Sequence, residues 1–467
     1  MMCATDFDCC IPLCSVCTRH LKGFEKVELI SEPNLCPLCF GVLNEDYIDK
    51  VMAEVKSKYV DSGHDAESFM LAINMPVTTI LREALYGCAY HMASSNGTLF
   101  AVPFKLRIIS AYLERIRDAT GLTPSVNSDL TLTLTFTNDE FNETDVDYLR
   151  TKYPNDFQLS RKRLKYTSAE DIVHSLFTKV RIANMLHNLN REYALFYKMA
   201  SPSTQCSFSV SFKRNSIFIA GRYCKFSRFI SQSPWFDSTN DTSQSSNPSI
   251  SEIIGIPFIE ETKCDSVRFV ALGREDIDVR MLGNGRPFVI QLINPKKLVP
   301  FRSDLMQATL NNIRDKINEN RDVRIPSDLK QITSDQASLI KKGQDDKRKI
   351  YTGYCYSAKV IDDSVFEELS GKAPIEIIQK TPVRVLKRRP LLERKRTIFS
   401  MMAMKLDDNH FILKLLTQAG TYVKEFVHGD FGRTRPSLAD LLDVKCGEID
   451  ILDLDVNSVE MDWPPRS

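Results

Sequence analysis

The sequence predicts an α+β protein of several domains that opens on a metal-binding segment, and three observations carry that expectation. At about 150 residues per domain, 467 residues imply two to four domains. Segments with helical spacing and segments with strict strand alternation both occur, set apart by turn-forming residues. Seven of the thirteen cysteines fall in the first 39 residues. Hydrophobic residues make up 43% and charged residues 26% of the chain. That balance excludes a wholly disordered chain, a collagen-like repeat and a disulfide-dominated miniprotein.

The amino-terminal segment, residues 1–45, contains Cys14-Ser-Val-Cys17 and Cys36-Pro-Leu-Cys39, two CxxC pairs with 18 residues between them. Each pair can fold as a tight knuckle that aims both thiolates at one ion, and two knuckles complete a tetrahedral site. Four thiolates leave no open position, so the expected Zn2+ is structural and takes no part in catalysis. A set of buried or redox thiols is the alternative reading. Cys3, Cys9, Cys10 and His20 stand near enough to replace a ligand. Residues Met1 to Cys10 have neither a basic stretch nor an apolar one, and the chain has no run of 18 apolar residues. The expectation is a nuclear or cytoplasmic protein, neither secreted nor membrane-spanning, with reduced thiols.

Residues 46–236 read as an α+β accessory domain. Asp46–Val60 places Ile48, Val51, Met52 and Val55 near helical spacing, and Pro103–Thr120 does so with Phe104, Leu106, Ile108, Ile109, Leu113 and Ile116. Asp129–Thr137 (DLTLTLTFT) alternates strictly, the period of a half-buried strand. Ala169–Met199 reads as helical. In Cys206–Gly221, Phe208, Val210 and Phe212 alternate, Lys213–Ser216 can turn, and Ile217-Phe218-Ile219 returns. Residues 237–250 (DSTNDTSQSSNPSI) cannot build a core and read as a loop or linker. Residues 251–467 hold glycine-punctuated strands, a helix near Ser303–Asn320 and a strand in His410–Leu416.

The net charge of +1 conceals a segregation: residues 440–467 carry eight acids and two bases, which leaves +7 on residues 1–439. The positive charge concentrates in Arg161–Lys165, in AGRYCKFSRFISQSPW (220–235) and in QKTPVRVLKRRPLLERKRT (379–397). The second run interleaves Arg222, Lys225 and Arg228 with Tyr223, Phe226, Phe229 and Trp235; the third holds eight bases and one acid. Interleaved cations and rings suit single-stranded or looped RNA, since cations hold phosphates while rings stack on splayed bases. A solvated charged face is the plainer alternative for each run.

Chemistry is suggested by Gly273-Arg-Glu-Asp-Ile-Asp-Val-Arg280 followed by Met-Leu-Gly-Asn-Gly-Arg-Pro287. A carboxylate between an arginine and turn-forming glycines can be held ionised in a cleft, as a nucleophile or base requires. Glu275, Asp276 and Asp278 could instead ligate a divalent metal in a nuclease, or be ordinary turn acids. Asp430-Phe-Gly432 echoes a kinase element, but no glycine-rich phosphate loop or catalytic-loop motif accompanies it.

The segments GREDIDVRMLGNGRP (273–287), KIYTGY (349–354), QKTPVRVLKRRP (379–390) and AGTYVKEFVHGDFGRTRPSL (419–438) resemble the tRNA pseudouridine synthase family called Pus-ten. The 220–235 segment, the closing VEMDWPP (459–465) and the two CxxC pairs fit the same family in the right order. The resemblance implies a zinc-containing, THUMP-like accessory region leading into a pseudouridine synthase domain. That domain would be a mixed, mainly antiparallel sheet with flanking helices and a central cleft. It implies that Asp276 attacks or deprotonates the ribose of the target uridine without cofactor. It also implies that Tyr351 packs flat on the flipped uracil and that Lys424 pairs with Asp276. Arg274, Arg222, Tyr223, Lys225, Arg228, Arg384, Lys387, Arg388 and Arg389 are the expected RNA contacts.

The implied partner is tRNA, modified at uridine 54 and/or 55 of the TΨC loop, with other structured RNA as a further partner and a monomeric enzyme. Two departures stand out. Relatives often carry a longer insertion between the CxxC pairs, and several synthase families use Arg where this chain has Lys424, whose ammonium cannot form a bidentate fork. The alternative function is an RNA-binding or RNA-processing adaptor without turnover, and after it the metal-dependent nuclease.

Overall fold

In the computed structural model, residues 12–21, 24, 28–90, 104–157, 175–185, 188–234, 248–342 and 347–465 are described. The chain divides into two compact units, Met1–Asn215 and Ser216–Ser467.

In the first unit, β1 (Ser68–Asn74) runs parallel to both β2 (Thr123–Pro124) and β3 (Leu130–Thr137), and β3 pairs antiparallel with β4 (Ser207–Arg214). The alternation of β3 does what its period demands: Leu130, Leu132, Leu134 and Phe136 are buried and the threonines between them are not. That apolar face shares one core with helix Glu45–Ser62, which buries Tyr47, Ile48, Val51, Met52 and Val55, and with helix Phe104–Thr120. Each fully buried Leu, Val or Phe there contributes about 1.5–3 kcal/mol. Helix Glu45–Ser62 stops at Gly63, whose φ of 67° gives the left-handed C-cap. The helix expected over Ala169–Met199 is interrupted: residues 169–174, 186 and 187 lie outside the described residues, and the rest includes the short helices Lys179–Met185 and Arg191–Leu195.

The second unit contains, among the described residues, an eleven-stranded sheet. Its strands are β5 (Ile217–Lys225), β6 (Ser266–Ala271), β7 (Val279–Ile293), β8 (Val323–Arg324), β9 (Lys330–Ile332), β10 (Lys349–Ser357), β11 (Ile375–Lys380), β12 (Glu393–Lys405), β13 (His410–Thr417), β14 (Thr434–Arg435) and β15 (Ile449–Val459). The order is β14-β11-β12-β13-β10-β15-β7-β5-β8, with β6 also on β7 and β9 also on β5. Neighbours run antiparallel except β15 and β7, which pair in parallel from Leu454/Val279 to Val456/Met281. One core lies against β10–β13 and β15, and another joins β5–β7 to helices Ile250–Thr262 and Met306–Asn318.

The boundary differs from the sequence expectation. Lys213–Ser216 does not close a hairpin: β4 pairs with β3, whereas β5 pairs with β7, so residues 216–236 begin the second unit. Alternation marks a strand but not its partner, which is why the two looked continuous. Of the expected linker 237–250, residues up to 247 lie outside the described residues. Ser249 is instead the N-cap of helix Ile250–Thr262, in a capping box with Glu252. Arg161–Lys165, Trp235, Cys3, Cys9 and Cys10 also lie outside the described residues. No helix among the described residues is long and apolar enough to cross a membrane.

Candidate active site and metal centre

The connection from β6 to β7 carries Asp276, and its carbonyls are held by side chains of β5, β7 and the segment after β5. Lys225, at the end of β5, donates from Nζ to the carbonyls of Asp276 (3.1 Å), Ile277 (2.6 Å) and Val279 (3.0 Å). Arg228 donates to the Asp278 carbonyl at 2.7 Å, Gln232 to Gly273 at 3.1 Å and Arg286 to Leu272 at 2.7 Å. Glu275 points inward, where its carboxylate accepts from Arg286 Nε at 2.6 Å and from the Tyr223 hydroxyl at 2.8 Å. Adjacent acids thus point different ways. Glu275 is buried in an ion pair and Asp276 is left 44% exposed.

Asp276 opens onto a cleft of about 700 Å3 lined by eight cations: Arg274, Arg286, Lys349, Arg384, Arg389, Arg394, Arg396 and Lys424. Its Oδ2 forms an ion pair with Arg384 Nη1 at 2.9 Å, while Lys424 Nζ stands 3.9 Å away. Lys424 is closer to Asp278 Oδ2, at 2.5 Å, which holds the Asp278 carboxyl below its usual range despite partial burial. Arg384 also donates to buried Glu425 at 2.6 Å. Tyr351 lines the same cleft, and burial pushes its phenol up to about 12, so at neutral pH it is an uncharged ring. Burial, and next the Arg286 charge, pull Lys349 down to about 8; burial does the same to Lys225. Arg394 Nη1 and Arg396 Nε are buried and have no hydrogen-bond partner among the described residues.

The structure therefore brings Asp276, Tyr351, Lys424, Arg274, Arg384 and Arg389 to one cleft, and leaves Lys387 and Arg388 exposed on the loop between β11 and β12. It corrects the other RNA contacts expected from sequence. Arg222, Tyr223 and Lys225 are 7%, 0% and 1% exposed. Arg222 donates to the carbonyls of Asn284, Gly285, Met461 and Val459. Tyr223 and Lys225 support the Asp276 loop, and Arg228 pairs with Asp453 and Asp455. Buried groups whose donors are spent on the protein cannot meet RNA. Sequence reasoning missed the partners Arg286, Lys349 and Glu425. Gly283 and Gly285 read as turn glycines in the sequence but lie within β7, and no local pattern says which carboxylate Arg286 will find.

In the first unit, the side chains of Cys14, Cys17, Cys36 and Cys39 converge with all four sulfurs within 4.8 Å of one another, and the last three cysteines are buried. A tetrahedral ion with sulfur at about 2.3 Å sets the sulfurs about 3.8 Å apart, and Cys14 Sγ to Cys39 Sγ is 3.8 Å. The four residues fit a metal ion. Among the described residues no other group of three or more potential His, Cys, Asp or Glu ligands converges in this way, so Glu275, Asp276 and Asp278 do not form a metal cage. His20 turns away, with Nδ1 2.9 Å from the Phe24 carbonyl. Arg107 Nη1 lies 3.8 Å from Cys17 Sγ and its guanidinium also meets Glu83 at 2.5 Å, which brings a cation to the thiolate cluster.

Residues 218–460 match the family described as Pus10, C-terminal. The tRNA pseudouridine synthase Pus10 of Xenopus laevis is 32% identical over 461 residues, covering 96% of this chain and 84% of that protein. The protein of the same name from Homo sapiens is 33% identical over 448 residues, covering 93% and 80%. That of Methanocaldococcus jannaschii is 34% identical over 282 residues, covering 58% and 59%.

Proposed function

Because the chain belongs to the Pus10 family, we propose that it isomerises uridine to pseudouridine in tRNA, at position 54 and/or 55 of the TΨC loop. The observation that carries this reading is the exposed carboxylate of Asp276, held by Arg384 and Lys424 in a cation-lined cleft that also contains Tyr351. The cations attract the RNA backbone and pair with the Asp276 carboxylate. The target uridine leaves its stack and lays its uracil on Tyr351, which offsets part of the few kcal/mol that flipping costs. Asp276 either bonds to C1′ as the N1–C1′ bond breaks and leaves again when C5 bonds to C1′, or takes a ribose proton as that bond breaks and returns it when the C1′–C5 bond forms. The freed uracil rotates and rejoins through C5; the C5 proton leaves and N1 ends with a proton, so composition is unchanged.

Arg274, Arg384, Lys387, Arg388 and Arg389 are the proposed phosphate contacts. Zn2+ is the proposed occupant of the Cys14, Cys17, Cys36 and Cys39 site, where it would supply a structural cross-link and no chemistry. The test is tritium release from tRNA transcript labelled with 5-tritiated uridine, in EDTA added after purification. Release by the wild type and none by Asp276→Asn supports the proposal. Binding without release would favour the adaptor, and magnesium-dependent cleavage the nuclease.

A further inference from the structure

Gly429, Asp430, Phe431 and Gly432 all have positive φ, at 79°, 45°, 55° and 80°. In that left-handed conformation an L side chain's Cβ crowds the following carbonyl, and runs of it are avoided. Glycine accepts it freely at the two ends. Asp430 has a local reason to accept it. It is buried, its carboxylate accepts from the Val383 amide at 3.2 Å and faces Arg433 at 3.6 Å, and its own amide donates to His428 Nδ1 at 3.1 Å. Phe431 has no such reason. Its side chain is 88% exposed, at a position where glycine or asparagine would be less strained. A non-glycine residue kept in such a conformation is an outlier from which function can be inferred.

The turn is fastened to the neck of the basic loop between β11 and β12. Arg433 accepts from the Lys380 amide at 3.0 Å and donates through Nη2 to the Thr381 carbonyl at 2.7 Å. Thr381 Oγ1 closes the neck, donating to the Pro390 carbonyl at 2.7 Å and accepting from the Leu392 amide at 3.0 Å. Within that loop lie exposed Lys387, Arg388 and Arg389, and Arg384, which reaches Asp276. A rigidly mounted, solvent-facing ring is thereby coupled to a set of phosphate-binding cations beside the proposed nucleophile.

We propose that Phe431 is a stacking platform for an unpaired base of the substrate RNA that flanks the target uridine. The inference rests on the RNA-isomerase reading and extends it to a specific subsite. RNA is the favoured occupant because every base offers a π-face while the adjoining cations hold its phosphates.

The test uses the full chain with Phe431→Gly, Phe431→Leu and Phe431→Trp. Loss of one stacked base lowers affinity for tRNA transcript about fivefold to 140-fold in the Gly and Leu variants. The Tm of Phe431→Gly stays unchanged or rises, because glycine relieves the left-handed strain; a residue kept for folding would give the opposite. Phe431→Trp binds like wild type and its added indole fluorescence is quenched by tRNA. Affinity within twofold of wild type for Phe431→Leu, or no quenching in the Trp variant, overturns the proposal. Failure of the underlying reading shows separately, as no tritium release by the wild type.

Discussion

Replacing Arg384 by methionine asks which cation serves Asp276. Arg384 Nη1 is 2.9 Å from Asp276 Oδ2, a close ion pair, whereas Lys424 Nζ stands at 3.9 Å and contributes charge from farther away. With Asp276 44% and Arg384 40% exposed, an ion pair this close contributes about 1 kcal/mol, the upper end for a solvent-accessible pair. Arg384→Met should therefore lower kcat/KM about fivefold. It should also destabilise the fold, because Glu425 is only 2% exposed, relies on Arg384 for Oε1 and, among the described residues, has no partner at Oε2. An uncompensated buried carboxylate costs about 1–3 kcal/mol, or about 2–12 °C in Tm for a unit of this size. Adding Glu425→Gln removes that charge, so the double variant should regain Tm and not activity. Tritium release and thermal denaturation read the two effects apart. Arg384→Met with kcat/KM within twofold of wild type, beside Lys424→Met reduced more than 100-fold, would falsify the assignment and return the role to Lys424.

Lys225 and Lys349, both pulled down to about 8 by burial, predict opposite trends in activity and stability. Their charged forms hold the Asp276 loop and line the cleft, so kcat/KM should fall above about pH 8. Lys349→Met should make that limb shallower in a pH–rate profile. Their folded values lie below the unfolded 10.5, so the burial cost is present in full below pH 8 and is relieved between 8 and 10.5. Their contribution to urea stability should accordingly rise over that window. The four-cysteine site predicts one equivalent of zinc by atomic absorption, lost in Cys36→Ser together with a lower Tm. Gly283→Ala is expected to cost about 3 kcal/mol by denaturation. Gly283 has φ of 58°, and a Cβ there would lie 2.1 Å from the Asn457 carbonyl oxygen.

Local signals were legible in the sequence. The CxxC spacing, the alternation of β3 and the apolar stripe of helix Glu45–Ser62 each involve residues a few positions apart, and each corresponds to what the fold does with them. The resemblance pointed to Asp276, Tyr351 and Lys424, which share the cleft. What stayed hidden was pairing. The β4–β5 boundary depends on which strand each one joins, and the Asp276–Arg384–Glu425 chain joins three separate stretches of sequence. An arginine's sequence neighbours do not reveal the carboxylate it meets.

The two basic segments show how topology sorts charge that composition treats alike. Residues 220–225 lie on β5, between β7 and β8 and covered on both faces, where inward- and outward-pointing residues no longer alternate in burial. A central strand with buried cations must satisfy them internally, and Arg222 and Lys225 do so by gathering backbone carbonyls. Arg228 and Arg280 are answered by Asp453 and Asp455 of β15, so the acidic end of the chain is in part a structural counterion set for the neighbouring strands. Lys387, Arg388 and Arg389 sit on a connection that the sheet does not cover, and Arg384 on that same connection bridges to Asp276. An RNA path along this protein follows from strand order more than from net charge. It should run over the β11–β12 loop and past Phe431 into the cleft, and not along β5.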